Sequence, residues 1–216
     1  MAELPLTAVI GSLAAAGLAV AAVMLSRPLA PMAVTSGAAA LLIVASLAHF
    51  LADLPEGGMG FIAAIAAGAL IWRAALAGMR ALSDNLTATV PLLALGLHSL
   101  ADGAFYHWAF DHGSFAGLAA AAGLFAHEFA EAALCLHLFR RTALKPAAAP
   151  CTLVFTAGTA SAGVLLAAYA QNASGFWIET FLVPLALGGA LFAGLHVLTS
   201  AAAQIAGRGR GVQSAR

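Results

Sequence analysis

Two short polar segments, HSLADG beginning at His98 and HEFAEA beginning at His127, interrupt long apolar stretches of the sequence. Asp102 follows His98 by four residues, so the two side chains share one face of a helix. Glu131 stands in the same relation to His127. Two imidazoles and two carboxylates form a ligand set that suits a divalent first-row metal ion better than Mg²⁺ or Ca²⁺. The spacing therefore predicts one metal site built from these four side chains.

Two further polar residues stand beside these pairs. Ser99 follows His98, and Glu128 follows His127 but points about 100° away from it on a helix. Both are candidates for a second metal site or for holding the ligands in place. Two alternatives need no metal: a buried histidine often only hydrogen bonds to a neighbouring helix, and His, Asp and Glu together can relay protons.

A third group of polar residues occurs earlier in the chain, in the segment HFLADLPEG. His49 and Asp53 are four residues apart, and Glu56 follows three residues later. These side chains are candidates for an entry site that collects metal ions outside the membrane. The alternative is a polar helix end at the membrane interface, terminated by Pro55.

The composition sets the class of protein. Of the 216 residues, 62% are hydrophobic and only 8% are charged, against roughly 25% charged in soluble domains. A soluble surface cannot be built from so few charges. We predict an all-α integral membrane protein, with residues 1–216 forming a single transmembrane domain. Its seven predicted spans run over residues 6–25, 33–51, 59–79, 90–110, 115–139, 151–169 and 181–205.

The basic residues predict how these spans are oriented. All nine Lys and Arg residues fall on one side if the seven spans alternate in direction. The positive-inside rule then places the N-terminus outside and the C-terminus in the cytoplasm. The third span is the least regular of the seven, because Arg73 lies inside it. A bacterial inner (plasma) membrane is the expected location.

Other classes of protein are not supported by the sequence. It contains no Gly-rich phosphate loop and no nucleotide fingerprint. The basic tail GRGRGVQSAR is too short for a nucleic-acid module, so we expect no nucleic-acid partner. The expected partners are the lipid bilayer and a metal ion, and a homodimer remains open.

The two polar segments resemble the fourth and fifth helices of the ZIP (Zrt-, Irt-like protein) family of divalent metal-ion transporters. PLLALGLHSLADGAF is similar to the family's His-Asn-x-x-Asp/Glu-Gly helix, and FAHEFAEAAL is similar to its His-Glu-x-Pro-His-Glu helix. The resemblance implies that His98, Asp102, His127 and Glu131 form the main metal site. It also implies that Glu128 faces a second site.

The sequence departs from the family pattern in several places. Seven spans are predicted where members usually have eight, Ser99 replaces the usual Asn, and Ala130 replaces the motif Pro. The sixth span has no Glu to complete a second metal site. We therefore expect one tight metal site rather than two.

The expected function is transport of a divalent transition-metal cation towards the cytoplasm, and not catalysis. Zinc is the expected metal, with iron, manganese, cobalt and nickel as alternatives. A second hypothesis is an intramembrane metal-dependent hydrolase, in which HEFAE resembles H-E-x-x-H and Glu128 is the general base. A third is a metal-binding membrane protein that does not transport.

Overall fold

The computed structural model describes residues 6–26, 31–82, 87–111, 114–142, 144–170 and 182–213. Within these ranges the chain is helical, with no β-strand. The helices are α1 (Leu6–Ser26), α2 (Pro31–Leu82), α3 (Thr89–Asp111), α4 (Ser114–Phe139), α5 (Ala148–Ala170) and α6 (Val183–Gln213), with a short 3₁₀ turn at Lys145–Ala147. Helices thus occupy the segments predicted as spans, and the prediction of an all-helical chain is confirmed for the described residues.

Helix α2 contains two of the predicted spans and reverses direction at Gly58. A straight helix of its 52 residues would be about 78 Å long. Ile43, before Gly58, lies against Gly194 of α6, whereas Gly68, after Gly58, lies against Leu185. Because residues 185 and 194 are only about 14 Å apart along a helix, the two arms of α2 must fold back on one another. Gly58 permits this with φ of 56°, a conformation that side-chain-bearing residues rarely adopt.

Four helical segments are long and apolar enough to cross a membrane: Leu6–Leu25, Gly58–Ala81, Ala148–Ala170 and Val183–Ala203. A shorter apolar helix covers Ala33–Leu47. Only described residues enter this comparison. Helices α3 and α4 are not among the four segments. In α3 the polar residues His98, Asp102 and His107 lower the mean hydropathy, and in α4 the side chains are described only from His127 onwards. The four segments indicate insertion into a membrane.

The distribution of polarity agrees with a lipid environment. Large apolar side chains such as Leu18, Val44 and Val154 are more than 60% exposed on the outside of the bundle. The carboxylates whose side chains the structure describes, those of Asp102, Glu128 and Glu131, are by contrast buried. This inside-out pattern would leave a large apolar surface in contact with water, which soluble monomers avoid.

Small residues decide which helices approach most closely. Gly103 of α3 and Gly163 of α5 face each other so closely that a methyl group on either would overlap the other helix's backbone. Glycines 188 and 194 of α6 approach the two arms of α2 in a similar way. Helix α1 packs mainly on α4 and α5. Helix α3 packs on α5 and also contacts α4 and α6, so α3 and α4 lie side by side.

Candidate metal site

The candidate site lies between α3 and α4, where the two polar segments meet. His98 and Asp102 project from α3, and His127, Glu128 and Glu131 project from α4. All five side chains are at most 5% exposed. The two helices thus bring together the four residues predicted as ligands, together with Glu128.

Three of these side chains form a nitrogen-rich group. Nε2 of His98 lies 2.6 Å from Nε2 of His127, so one ring nitrogen donates and the other accepts. Oδ2 of Asp102 lies 3.1 Å from Nε2 of His127 and 3.7 Å from Nε2 of His98. These donor atoms lie within 4.8 Å of one another. Two imidazoles and a carboxylate form a common ligand set for transition metals.

The spacing of these donors can be compared with what a metal requires. Ligand atoms about 2.1 Å from a metal lie about 3.0 Å apart in an octahedral site and about 3.4 Å apart in a tetrahedral one. The two distances from Asp102, 3.1 and 3.7 Å, lie within about 0.3 Å of the tetrahedral value, and the shorter one is close to the octahedral value. The two imidazole nitrogens, at 2.6 Å, would have to move apart by less than 1 Å. The group therefore fits a transition metal after a small shift of the rings.

A second group in the same cluster contains only carboxylates. Asp102, Glu128 and Glu131 each offer an oxygen, and these oxygens lie within 4.8 Å of one another. Glu128 and Glu131 are three residues apart on α4 and therefore lie on neighbouring positions of one helix face. Asp102 belongs to both groups. The structure thus places Glu131 nearer to the other carboxylates than the sequence suggested, and it brings Glu128 into the cluster.

The negative charge of this cluster has little compensation within the described residues. Glu128 and Glu131 are fully buried, and neither forms an ion pair with a described Lys or Arg. Both carboxylate oxygens of Glu128 lack a hydrogen-bond partner among the described residues. Buried carboxylates without partners are costly. The cluster therefore requires protons or a cation to balance it.

Ser99 connects the cluster to α5. Its hydroxyl donates a 3.2 Å hydrogen bond to the backbone carbonyl of Thr156, and it lies beside the carboxylate of Glu131. Thr156 uses its own hydroxyl to bond the carbonyl of Thr152. In this arrangement Ser99 holds α3 against α5 and so fixes the position of the ligands on α3. The role of α5 was not predicted from the sequence. The one signal was the spacing of four residues between Thr152 and Thr156, which places both hydroxyls on one face of the helix.

The predicted entry site lies outside the described side chains. His49, Asp53 and Glu56 belong to the part of α2 whose backbone is helical but whose side chains are outside the description. Their proposed role in collecting metal ions stays a prediction.

Comparisons with known proteins give no family for this chain. The sequence matches no protein-family model and no curated protein, and no solved structure matches the fold.

Proposed function

We propose that the chain moves a divalent transition-metal ion across a membrane towards the cytoplasm, as ZIP-like transporters do. The observation that carries the proposal is the buried cluster of two histidines and three carboxylates between α3 and α4. Ionisable residues inside apolar helices are costly and are characteristic of ion pathways. A dipositive cation would replace the repulsion between these carboxylates with attraction.

The chemistry of the donors favours a transported ion over one held permanently. The two groups offer imidazole nitrogens and carboxylate oxygens but no thiolate. Such mixed donors bind zinc, iron, manganese, cobalt and nickel, whereas thiolates favour copper(I) and tight structural zinc sites. A ligand set that binds without thiolates releases its ion more readily, which transport requires.

The arrangement of the helices is consistent with one orientation of the chain in the membrane. Within the described ranges, the two arms of α2 and the five other α-helices give seven helical segments. If each crosses the membrane once, the two ends of the chain lie on opposite sides. Arg80 and Arg141 are both near enough to His196 for their charges to act on it, so the last turn of α2 and the residues after α4 lie at the same end of the bundle. The positive-inside rule would make this end cytoplasmic.

Uptake by sealed vesicles tests the proposal directly. We expect proteoliposomes containing the purified chain and an internal zinc-sensitive dye to accumulate zinc faster than protein-free liposomes. The His196→Gln variant should transport normally, because His196 stacks on Phe192 of the same helix and belongs to neither ligand group. Zinc binding without uptake would contradict transport, and hydrolysis of a lipid or peptide by the zinc-loaded protein would support the hydrolase instead.

The number of ions bound distinguishes the roles of the two ligand groups. Because both groups depend on Asp102, and α5 contributes no carboxylate, we expect zinc titration to saturate near one tight equivalent. The Glu128→Gln variant should retain this equivalent, since both imidazoles remain. Isothermal titration calorimetry on the purified chain measures both quantities. A second tight equivalent that disappears in Glu128→Gln would show that the carboxylate group is an independent site.

A further inference from the structure

One arginine occupies an unusual position on the outside of the bundle. Arg73 lies within Gly58–Ala81, a segment apolar enough to cross a membrane, and its side chain is exposed. Met59 and Leu70, on the same side of this arm, are 77% and 65% exposed. The guanidinium group therefore lies on a surface that faces lipid rather than on the packed interior.

The packing of neighbouring residues fixes the depth of Arg73. The adjacent Trp72 and Ala94 of α3 both lie beside Gly189 of α6. Ala94 is one helical turn, about 6 Å, from the level of His98. Arg80 is seven residues beyond Arg73, about 10.5 Å further along the helix. Arg73 thus lies between the level of the metal cluster and the end of the bundle that carries Arg80.

No described acidic side chain is available to pair with Arg73. The carboxylates whose side chains the structure describes are those of Asp102, Glu128 and Glu131, and all three are buried in the cluster. No ion pair involves Arg73 within the described part of the chain. An arginine inside the lipid region without a counter-ion is costly, but its long side chain can extend towards the headgroups.

Two arginines and two apolar residues form one strip along this arm of α2, which we call the lipid strip: Met59, Leu70, Arg73 and Arg80. Successive helix positions are 100° apart, so Arg80 lies within about 20° of Arg73 around the helix axis, and Leu70 and Met59 lie within about 60°. The strip is cationic towards one end of the bundle and apolar along the rest. Guanidinium groups bind phosphate oxygens through paired N–H donors.

We propose that the lipid strip binds an anionic phospholipid. Arg73 and Arg80 hold the phosphate of the headgroup, and the acyl chains run over Leu70 towards the middle of the membrane. Met59, about 21 Å beyond Arg73 along the helix, marks the far end of the strip, beyond these chains. The apolar part of the strip fits an acyl chain, and the two guanidinium groups fit a phosphate. They favour an anionic phospholipid over a zwitterionic one, because its phosphate is not balanced by a cation in the headgroup. The inference is independent of the transport proposal, since it depends only on the exposed face of α2.

Native mass spectrometry of the full chain in detergent tests this binding. Phosphatidylglycerol and phosphatidylcholine are added in competition, and the lipid adducts are counted. We expect the unchanged protein to retain phosphatidylglycerol in preference. The Arg73→Gln variant should bind it at least about tenfold more weakly, as expected for the loss of a charge-assisted hydrogen bond. Arg73→Lys should retain part of the preference, because it keeps the charge but not the paired donors.

The matched control is Arg140→Gln, which removes the same charge from an exposed position just after α4. It should bind phosphatidylglycerol as the unchanged protein does. An equal loss in both variants would mean that net charge, and not the lipid strip, attracts the lipid, and would overturn the proposal. An Arg73→Gln variant that retains phosphatidylglycerol as the unchanged protein does would also overturn the proposal. The same holds if that variant keeps its lipids but no longer forms a complex between two copies of the chain.

Discussion

Replacing Asp102 with asparagine should weaken zinc binding more than about 100-fold and abolish zinc uptake. Its carboxylate contacts both imidazoles and belongs to both ligand groups. Loss of residues that only support metal ligands commonly costs 10–100-fold in affinity, so loss of a shared ligand should cost more. Asparagine keeps the shape and the hydrogen-bond acceptor but removes the charge. Calorimetric titration of the purified variant measures the affinity.

Thermal stability separates a ligand role for Asp102 from a structural role. Zinc should raise the melting temperature of the unchanged protein, because a ligand that binds only the folded state stabilises it. The Asp102→Asn variant should melt near the temperature of the metal-free unchanged protein, since it removes one of three crowded carboxylates. At the same zinc concentration its melting temperature should then rise much less. A variant that binds zinc within threefold of the unchanged protein would show that Asp102 is not a ligand.

Two histidine variants provide a matched control for the same experiment. His127→Gln removes a side chain whose Nε2 contacts both His98 and Asp102, so zinc affinity should fall strongly. His196→Gln changes a half-buried histidine on α6 that lies against Phe192. Its zinc affinity should be unchanged. Equal losses in the two variants would indicate a general disturbance of the bundle instead of the loss of a ligand.

The main features of the cluster were predictable because they depend on local geometry. Spacing of four residues places His98 beside Asp102 on a helix whatever the rest of the chain does. Similar distances from the ends of two consecutive helices then allow His127 to reach the same level. The structure brings these side chains into contact. What the sequence could not specify was the approach of Glu128 and Glu131 to Asp102, because this depends on the rotation of α4 about its axis.

The path of α2 and the packing partners of α3 were not predictable by the same means. The segment LPEGGMG was expected to lie between two spans, with Glu56 as a candidate ligand and a helix end at Pro55 as the alternative. The backbone instead remains helical through Pro55 and reverses direction at Gly58. The contact between Gly103 and Gly163 joins residues 60 positions apart in the sequence. Gly103 appeared in the sequence only as the end of the HSLADG motif. Its close approach to α5 comes from tertiary packing, which no local pattern encodes.

Replacing Gly163 with valine should strongly destabilise the bundle. Even one methyl group at this position would overlap the backbone carbonyl of Leu100 on α3, and backbone atoms cannot move aside as a flexible side chain can. Overpacking typically costs 1–3 kcal/mol, and here two whole helices must separate. We expect a loss of about 3 kcal/mol or more, which corresponds to a fall in melting temperature of roughly 6–12 °C. Thermal unfolding of the detergent-purified variant measures it.

Gly158→Val, five residues earlier on the same helix, is the matched control. A methyl group at Gly158 meets no described atom within 4 Å, while the change in side chain and in helix propensity is the same. Its stability should change by less than about 1 kcal/mol. Gly163→Val should also weaken zinc binding, because it separates α3 from α5. The hydrogen bond from Ser99 to Thr156 holds α3 against α5, and Asp102 lies on the same part of α3. If the two valine variants melt at the same temperature, α3 and α5 do not approach each other as closely as described. Their contact then does not hold the ligands of the cluster in place.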